Sequence, residues 1–156
     1  MIQRFVIGKP FPTESVVLPV EPAAAVPYLT AEPDGSWSFS LAEDAVVYGL
    51  GEMPRGINKR GWHYVTDNTD ESHHGENRLS YYGAHNFLLI DGGAGRSVFG
   101  VFVDFPGKVF YDIGYTRHDR LTFRTEEPDY DLYILTGDSP NAVCTEFRKL
   151  IGHSYI

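Results

Sequence analysis

Residues 36–41 read SWSFSL, with Trp37, Phe39 and Leu41 on one side and three serines on the other. A period of two is the mark of a strand with one face buried. Short runs of similar character recur at residues 3–7, 14–20, 46–50, 62–66, 108–111, 120–125 and 130–135. Two further runs, 85–91 (HNFLLID) and 97–105 (SVFGVFVDF), are apolar on both sides, which predicts central strands. Gly92-Gly93-Ala94-Gly95 is the hairpin connection between them, and Gly100 marks a bulge or a close approach. Turn chemistry separates the runs. Glu32-Pro33-Asp34-Gly35, Pro106-Gly107 and Glu126-Glu127-Pro128-Asp129 supply preset φ at proline and tolerance of turns at glycine and aspartate.

Pro10, Pro12, Pro19, Pro22 and Pro27 exclude a helix from the start of the chain and predict a segment that wraps an edge. One helix is signalled near the other end. Ser139 caps it, Pro140 takes its first position, and Gly152 follows its last residue. Val143, Phe147, Leu150 and Ile151 form its buried stripe, and Arg148 and Lys149 complement its dipole. About ten short strands and one C-terminal α-helix predict a mainly β fold, a β-sandwich formed as one domain over residues 1–156.

Composition sharpens this picture in three ways. Aromatic residues make up 14% of the chain, and such side chains suit half-buried pleated surfaces. The net charge of −8 argues against a nucleic-acid partner, which would need clustered cations, and against an anionic membrane surface. Cys144 is the single cysteine, so no intrachain disulfide forms, which fits a reducing cytoplasm. Residues 1–11 show no apolar run of signal-peptide type, and no segment has bilayer-spanning length. Cys144 itself reads as a small packing residue of the helix.

Candidate chemistry concentrates in VVYGLGEMPRGINKRGWHYVTDNTDES, residues 46–72, and the polar stretch that continues to Ser80. Gly49-Leu50-Gly51-Glu52 completes no dinucleotide fingerprint and reads as a tight bend. Arg55, Lys59 and Arg60 are expected to pair locally with Glu52, Asp67 or Asp70. His73 and His74 are adjacent, a spacing that diverges in extended chain and does not suit a tetrahedral metal site. No cofactor motif is present. The carboxylates Asp67, Asp70, Glu71 and Glu76 share one loop, whereas a glycosidase needs two carboxyls held rigidly about 5–10 Å apart. No complete catalytic set is therefore expected in this chain.

The order of VVYGLGE, RGINKRG, NTD, SYYGAHNFLL, SVFGVFVDF and the closing helix with Gly152 resembles the N-terminal domain of glycoside hydrolase family 31, bacterial α-glucosidases in particular. The resemblance runs from about residue 4 to residue 156. It implies a galactose-mutarotase-like sandwich that packs on a (β/α)-barrel carrying the catalytic aspartates, a barrel expected after residue 156. It implies that Asp70, ending the N-T-D motif, contacts sugar hydroxyls, with Asn68 and Thr69 shaping its loop. The implied partners are an α-glucosidic oligosaccharide and the chain's own barrel, and the implied setting is the bacterial cytoplasm. Two positions depart from the family pattern: Asp67 stands where an aromatic often precedes N-T-D, and Asn86 stands where proline often precedes the next phenylalanine.

Other readings use different residues. A free-standing carbohydrate-binding module would present an aromatic platform from Trp37, Trp62 and Tyr82, although burial in the core is their ordinary fate. An independent mutarotase-like enzyme would need His85 or His118 to face a glutamate across one sugar. A surface built to meet a barrel would also favour self-association of the isolated chain through an exposed apolar patch.

Overall fold

The computed structural model describes residues 1–25, 29–70, 72–92 and 97–153. Its strands are β1 (Ile2–Ile7), β2 (Thr30–Ala31), β3 (Trp37–Ser40), β4 (Val46–Gly51), β5 (Trp62–Thr66), β6 (Ala84–Asp91), β7 (Val98–Asp104), β8 (Val109–Ile113), β9 (Arg120–Thr125) and β10 (Tyr130–Gly137), followed by helix α1 (Pro140–Ile151). They form two five-stranded sheets, ordered β1-β10-β7-β6-β4 and β2-β3-β9-β8-β5. Every strand pair is antiparallel. The expected mainly β sandwich with one late helix is the observed fold.

The alternation of the sequence explains the layers. Val47, Leu88, Val101, Val103, Leu132 and Ile134 of the first sheet face Phe39, Tyr64, Val109, Tyr111, Leu121 and Phe123 of the second. The opposite face of the first sheet buries Leu89, Val98, Phe102, Tyr133 and Leu135 under Val143, Phe147 and Leu150 of α1. The first sheet is thus covered on both sides, and this is why β6 and β7 read as apolar throughout. Gly100 resolves as a close approach. A Cβ there would lie 2.8 Å from the Phe87 ring and 2.9 Å from Val143 of the helix.

Two expectations need correction. Residues 14–20 form no strand, because Pro19 has no amide to donate and two neighbouring amides turn elsewhere. Val17 and Leu18 donate to the Leu150 carbonyl at 2.9 and 3.2 Å, so this strap caps the C-terminus of α1. Cys144 is exposed on the outer side of α1 and packs into no core. The short strand β2 was not foreseen, since two residues are too few to show a period. Residues 93–96 of the expected hairpin and Glu71 lie outside the described residues.

The strap is also fixed laterally. Arg4 of β1 makes a two-pronged bond to Asp131 of β10 at 3.0 and 2.9 Å, and it pairs with Pro22 across a parallel bridge. Thr13 donates to Asp104 of β7 at 2.7 Å.

Candidate functional site

The site begins where β4 turns. Gly49 and Gly51 have φ of 123° and 73°, and Leu50 between them has 66°. A Cβ at Gly49 would stand 2.2 Å from the Phe87 carbonyl oxygen, and one at Gly51 would stand 2.2 Å from that of Gly83. Only glycine fits such an approach. The G-L-G sequence therefore shapes an irregularity in the β4–β6 ladder, as the tight-bend reading expected. The chain then loops back on β4. Asn58 accepts from the amides of Val47 and Arg60 at 3.1 Å each, and Lys59 donates its amide to Val47 at 2.7 Å.

The basic cluster does not pair as expected. Arg60 donates to the carbonyls of Ala42, Glu43, Ala45 and His118, tying two turns to this loop. Arg55 lays its guanidinium 4.3 Å above the Trp62 ring. Lys59 is only 5% exposed and donates to the Pro54 carbonyl at 3.3 Å, and burial lowers its pKa. Backbone carbonyls and aromatic faces thus hold these three cations. Asp67, one of their expected partners, bonds instead to Lys108 at 2.9 Å, a bond that raises the lysine's pKa.

Beyond β5 the chain enters the polar loop of residues 67–83, whose two arms run side by side. Val65 donates its amide to the Leu79 carbonyl at 3.2 Å, Asp67 to the Ser80 hydroxyl at 3.2 Å, and Thr69 to the Tyr81 carbonyl at 3.4 Å. Asn68 accepts from the Ala84 amide at 2.6 Å, which joins the outgoing arm to the first residue of β6. Asp67 and Asn68 therefore anchor the root of the loop. Asp70, the next acidic residue, is exposed and has no hydrogen-bond or ion-pair partner among the described residues. On the far arm His74 packs against the rings of Tyr81 and Tyr82, with centroids 4.8 and 5.1 Å away, while His73 contacts the Ser72 hydroxyl. Among the described residues no group of three or more metal-ligating side chains converges.

A cleft of about 770 Å³ opens beside the loop root, lined by Asn68, His85, Asn86, Asp104, Phe105 and Lys108 among others. Asn86 donates to the Phe105 carbonyl at 3.3 Å, a bond that proline at this position could not make. His85 packs against Phe102 and Phe147, and desolvation lowers its pKa, which favours the neutral ring. Asp104 moves the other way: burial raises its pKa against the pull of the Thr13 and Ser15 hydroxyls. His118 lies elsewhere, against Arg60, while His85 shares its cleft with Glu14 and Glu126. The three aromatics of the platform reading have different neighbours. Trp37 packs against the core, Trp62 lies beneath Arg55, and Tyr82 belongs to the separate far arm. Lys108 and Ala84 were missed as anchors, because partners distant in sequence leave no local pattern to read.

The fold and this loop define a two-sheet antiparallel sandwich domain that presents one anchored polar loop. The profile of the glycosyl hydrolase 31 N-terminal galactose mutarotase-like domain matches residues 17–112, and the chain belongs to that family. It is 31% identical over 114 residues to the alpha-xylosidase XylQ of Lactiplantibacillus pentosus, covering 73% of this chain and 14% of that protein. It is 29% identical over 123 residues to a probable maltase-glucoamylase 2 of Homo sapiens, covering 76% of this chain and 5% of that protein. Among solved structures, a GH31 dextranase of Flavobacterium johnsoniae superposes with a TM-score of 0.67 at 22% identity, over 82% of this chain and 15% of that one. A cycloalternan-degrading enzyme of Trueperella pyogenes gives 0.62 at 20% identity, over 72% and 16%. The chain thus spans about one seventh or less of the curated relatives it matches. No described helix is long and apolar enough to cross a membrane.

Proposed function

We propose that this chain is the non-catalytic N-terminal domain of a retaining α-glucosidase that removes terminal α-linked glucose from oligosaccharides. In this reading the domain packs on a catalytic barrel in the same polypeptide and lends Asp70 to the substrate pocket. The observation that carries it is the contrast within one tetrapeptide. Asp67 and Asn68 are bound to the sandwich and Thr69 is tied through its amide, while the Asp70 carboxylate is left exposed at the end of a fixed root. An ionised carboxylate is an acceptor only and suits the paired hydroxyls of a sugar. Asn68 and Thr69 hold the loop that presents it.

The test uses the longer protein that contains this chain. Asp70→Ala should lower kcat/KM on a terminal α-glucoside by about 5- to 150-fold, equivalent to a lost hydrogen-bonded partner of about 1–3 kcal/mol. Melting temperature should stay unchanged, since the carboxylate supports nothing in the fold. Unaltered kcat/KM would remove Asp70 from the site. Turnover by the 156-residue chain alone would overturn its non-catalytic role.

A further inference from the structure

The two faces of this sandwich are treated differently. Helix α1 packs across β6, β7 and β10 of the first sheet, and no described helix covers the outer face of the second. That outer face is not uniformly polar, as a merely solvated antiparallel face would be. The register sets its side chains in two neighbouring rows. Val65, Phe110 and Arg124 form one, through the pairs Val65↔Phe110 and Phe110↔Arg124. His63, Asp112, Thr122 and Ser38 form the other, through His63↔Asp112, Asp112↔Thr122 and Thr122↔Ser38. An apolar row thus lies beside a row of hydroxyl, imidazole and carboxylate groups.

All of these residues except the buried Ser38 floor an open groove of about 640 Å³, within the span of about 300–1,000 Å³ typical of small-ligand sites. Its walls come from the β2–β3 turn, the β8–β9 turn and Leu79, the last on the returning arm of the Asp70 loop. Several groups are already oriented. Arg124 holds its guanidinium 4.0 Å over the Phe110 ring. Asp112 accepts from the amides of Tyr115 and Thr116 and contacts His63 at 3.1 Å. Glu32 accepts from Ser38 and lies 3.7 Å from Arg117. Glu32, Asp34 and Asp112 stand among Arg117, Arg124 and the His63 ring, so neither sign dominates. Balanced charge does not select an anion or a cation. It offers both donors and acceptors, which a ring bearing several hydroxyls can satisfy, while Val65, Phe110 and Leu79 meet its C–H face.

We infer that the outer face of the second sheet is a sugar-binding groove, in which Arg124 on Phe110 and the Glu32 carboxylate hold a pyranose unit of a neutral α-glucan, separate from the pocket proposed for Asp70. The choice of an α-glucan rests on the proposed glycosidase reading, but the groove stands on its own geometry and either idea can fail alone.

The experiment is a ¹H–¹⁵N shift titration of the 156-residue chain with isomaltotriose and, separately, maltotriose. Saturable shifts at backbone amides of residues 110–124 and 32–38 are expected with at least one of the two. Arg124→Gln changes an exposed side chain and should weaken binding by roughly tenfold, as loss of a charged donor would. Phe110→Leu, retaining an apolar floor without a stacking ring, should weaken it as well. Shifts confined to residues 67–83 would overturn the groove and leave the Asp70 reading intact. Absence of saturable shifts with both sugars, or binding untouched by both groove variants, would equally overturn it. Inorganic phosphate shifting the same amides while neither sugar does would make the groove an anion site and refute the proposal.

Discussion

The contact between α1 and the first sheet makes a sharp quantitative test. Phe147 is 9% exposed and lies flat on Phe87, with centroids 3.9 Å apart and planes 8° from parallel, and edge-on to Phe102 at 5.3 Å. Truncating a buried phenylalanine costs about 3–5 kcal/mol. At about 2–4 °C per kcal/mol for a chain of this size, Phe147→Ala should lower Tm by roughly 6–20 °C. Gly100→Ala probes the same contact from the other side. Its new Cβ would meet the Phe87 ring at 2.8 Å and Val143 at 2.9 Å, an overpacking that costs about 1–3 kcal/mol. Phe87 is the shared element, wedged between residue 100 and Phe147. Removing Phe147 gives its ring room to yield, so Gly100→Ala should cost about 0.5–2 kcal/mol less in the Phe147→Ala background. The clash with Val143 remains, which keeps the relief incomplete. Urea unfolding of the four proteins in the cycle measures each term. Additivity within about 0.3–0.5 kcal/mol, or a loss below about 1 kcal/mol for Phe147→Ala, would refute this account of the packing.

Two further outcomes concern buried charge. Asp104 faces Asp131 and Arg4 as well as the Thr13 and Ser15 hydroxyls, and burial raises its folded pKa, so the native state holds its proton more tightly than the unfolded chain. Its ionisation therefore erodes stability as pH rises from the unfolded value through the folded one, and Asp104→Asn should gain Tm relative to wild type between acid and neutral pH. A difference that is constant with pH, measured by thermal melts, would defeat this reasoning. Lys59→Met keeps the stem and removes a buried cation, so its urea midpoint at pH 7 should be no lower than wild type, whereas Lys59→Ala should fall through lost packing. A large loss in the methionine variant would show that the ammonium itself supports the fold.

The fold was legible because its signals are local. Alternation in SWSFSL and RLTFRT, the serine and proline opening α1, and the two-sided apolar runs of β6 and β7 all stem from the immediate environment of each residue. Residues 14–20 misled because valine enrichment is shared by strands and by straps that lie on apolar surface. What separated the two was the destination of the Val17 and Leu18 amides, a helix end distant in sequence. The basic cluster misled for a related reason. Charge complementarity suggested carboxylate partners, but the turns that enclose Arg60 offer it four carbonyls. The groove on the second sheet was invisible for a third reason. It depends on which residues of β5, β8 and β9 stand abreast, and register is a property of paired strands that no single strand encodes.

Register and anchoring together also give Asp70 its standing. Exposure alone distinguishes nothing, since Asp44 and Asp138 are exposed as well. Other loop aspartates are consumed locally. Asp34 accepts from the Ser36 amide and hydroxyl, and Asp112 takes two amides of its own turn, so both stabilise backbone. Burial works against the Asp112 charge, yet bonds from Thr116 and Tyr115 and the nearby His63 hold its pKa below the usual range, the mark of a structural carboxylate. Asp70 differs from both groups. Its carboxylate remains free, while the residues before it are held by Lys108, Ala84 and Tyr81. A ligand-binding carboxylate gains most when its supporting backbone is ordered before the ligand arrives, because less freedom is then lost on binding. Cutting the anchors should therefore weaken the same step as removing Asp70 itself. Asn68→Ala, tested in the longer protein, should raise KM on the α-glucoside with little change in kcat, and combined with Asp70→Ala it should add almost nothing. If the two losses instead add fully, the anchor and the carboxylate act independently, and the loop is not the positioning device its bonds describe.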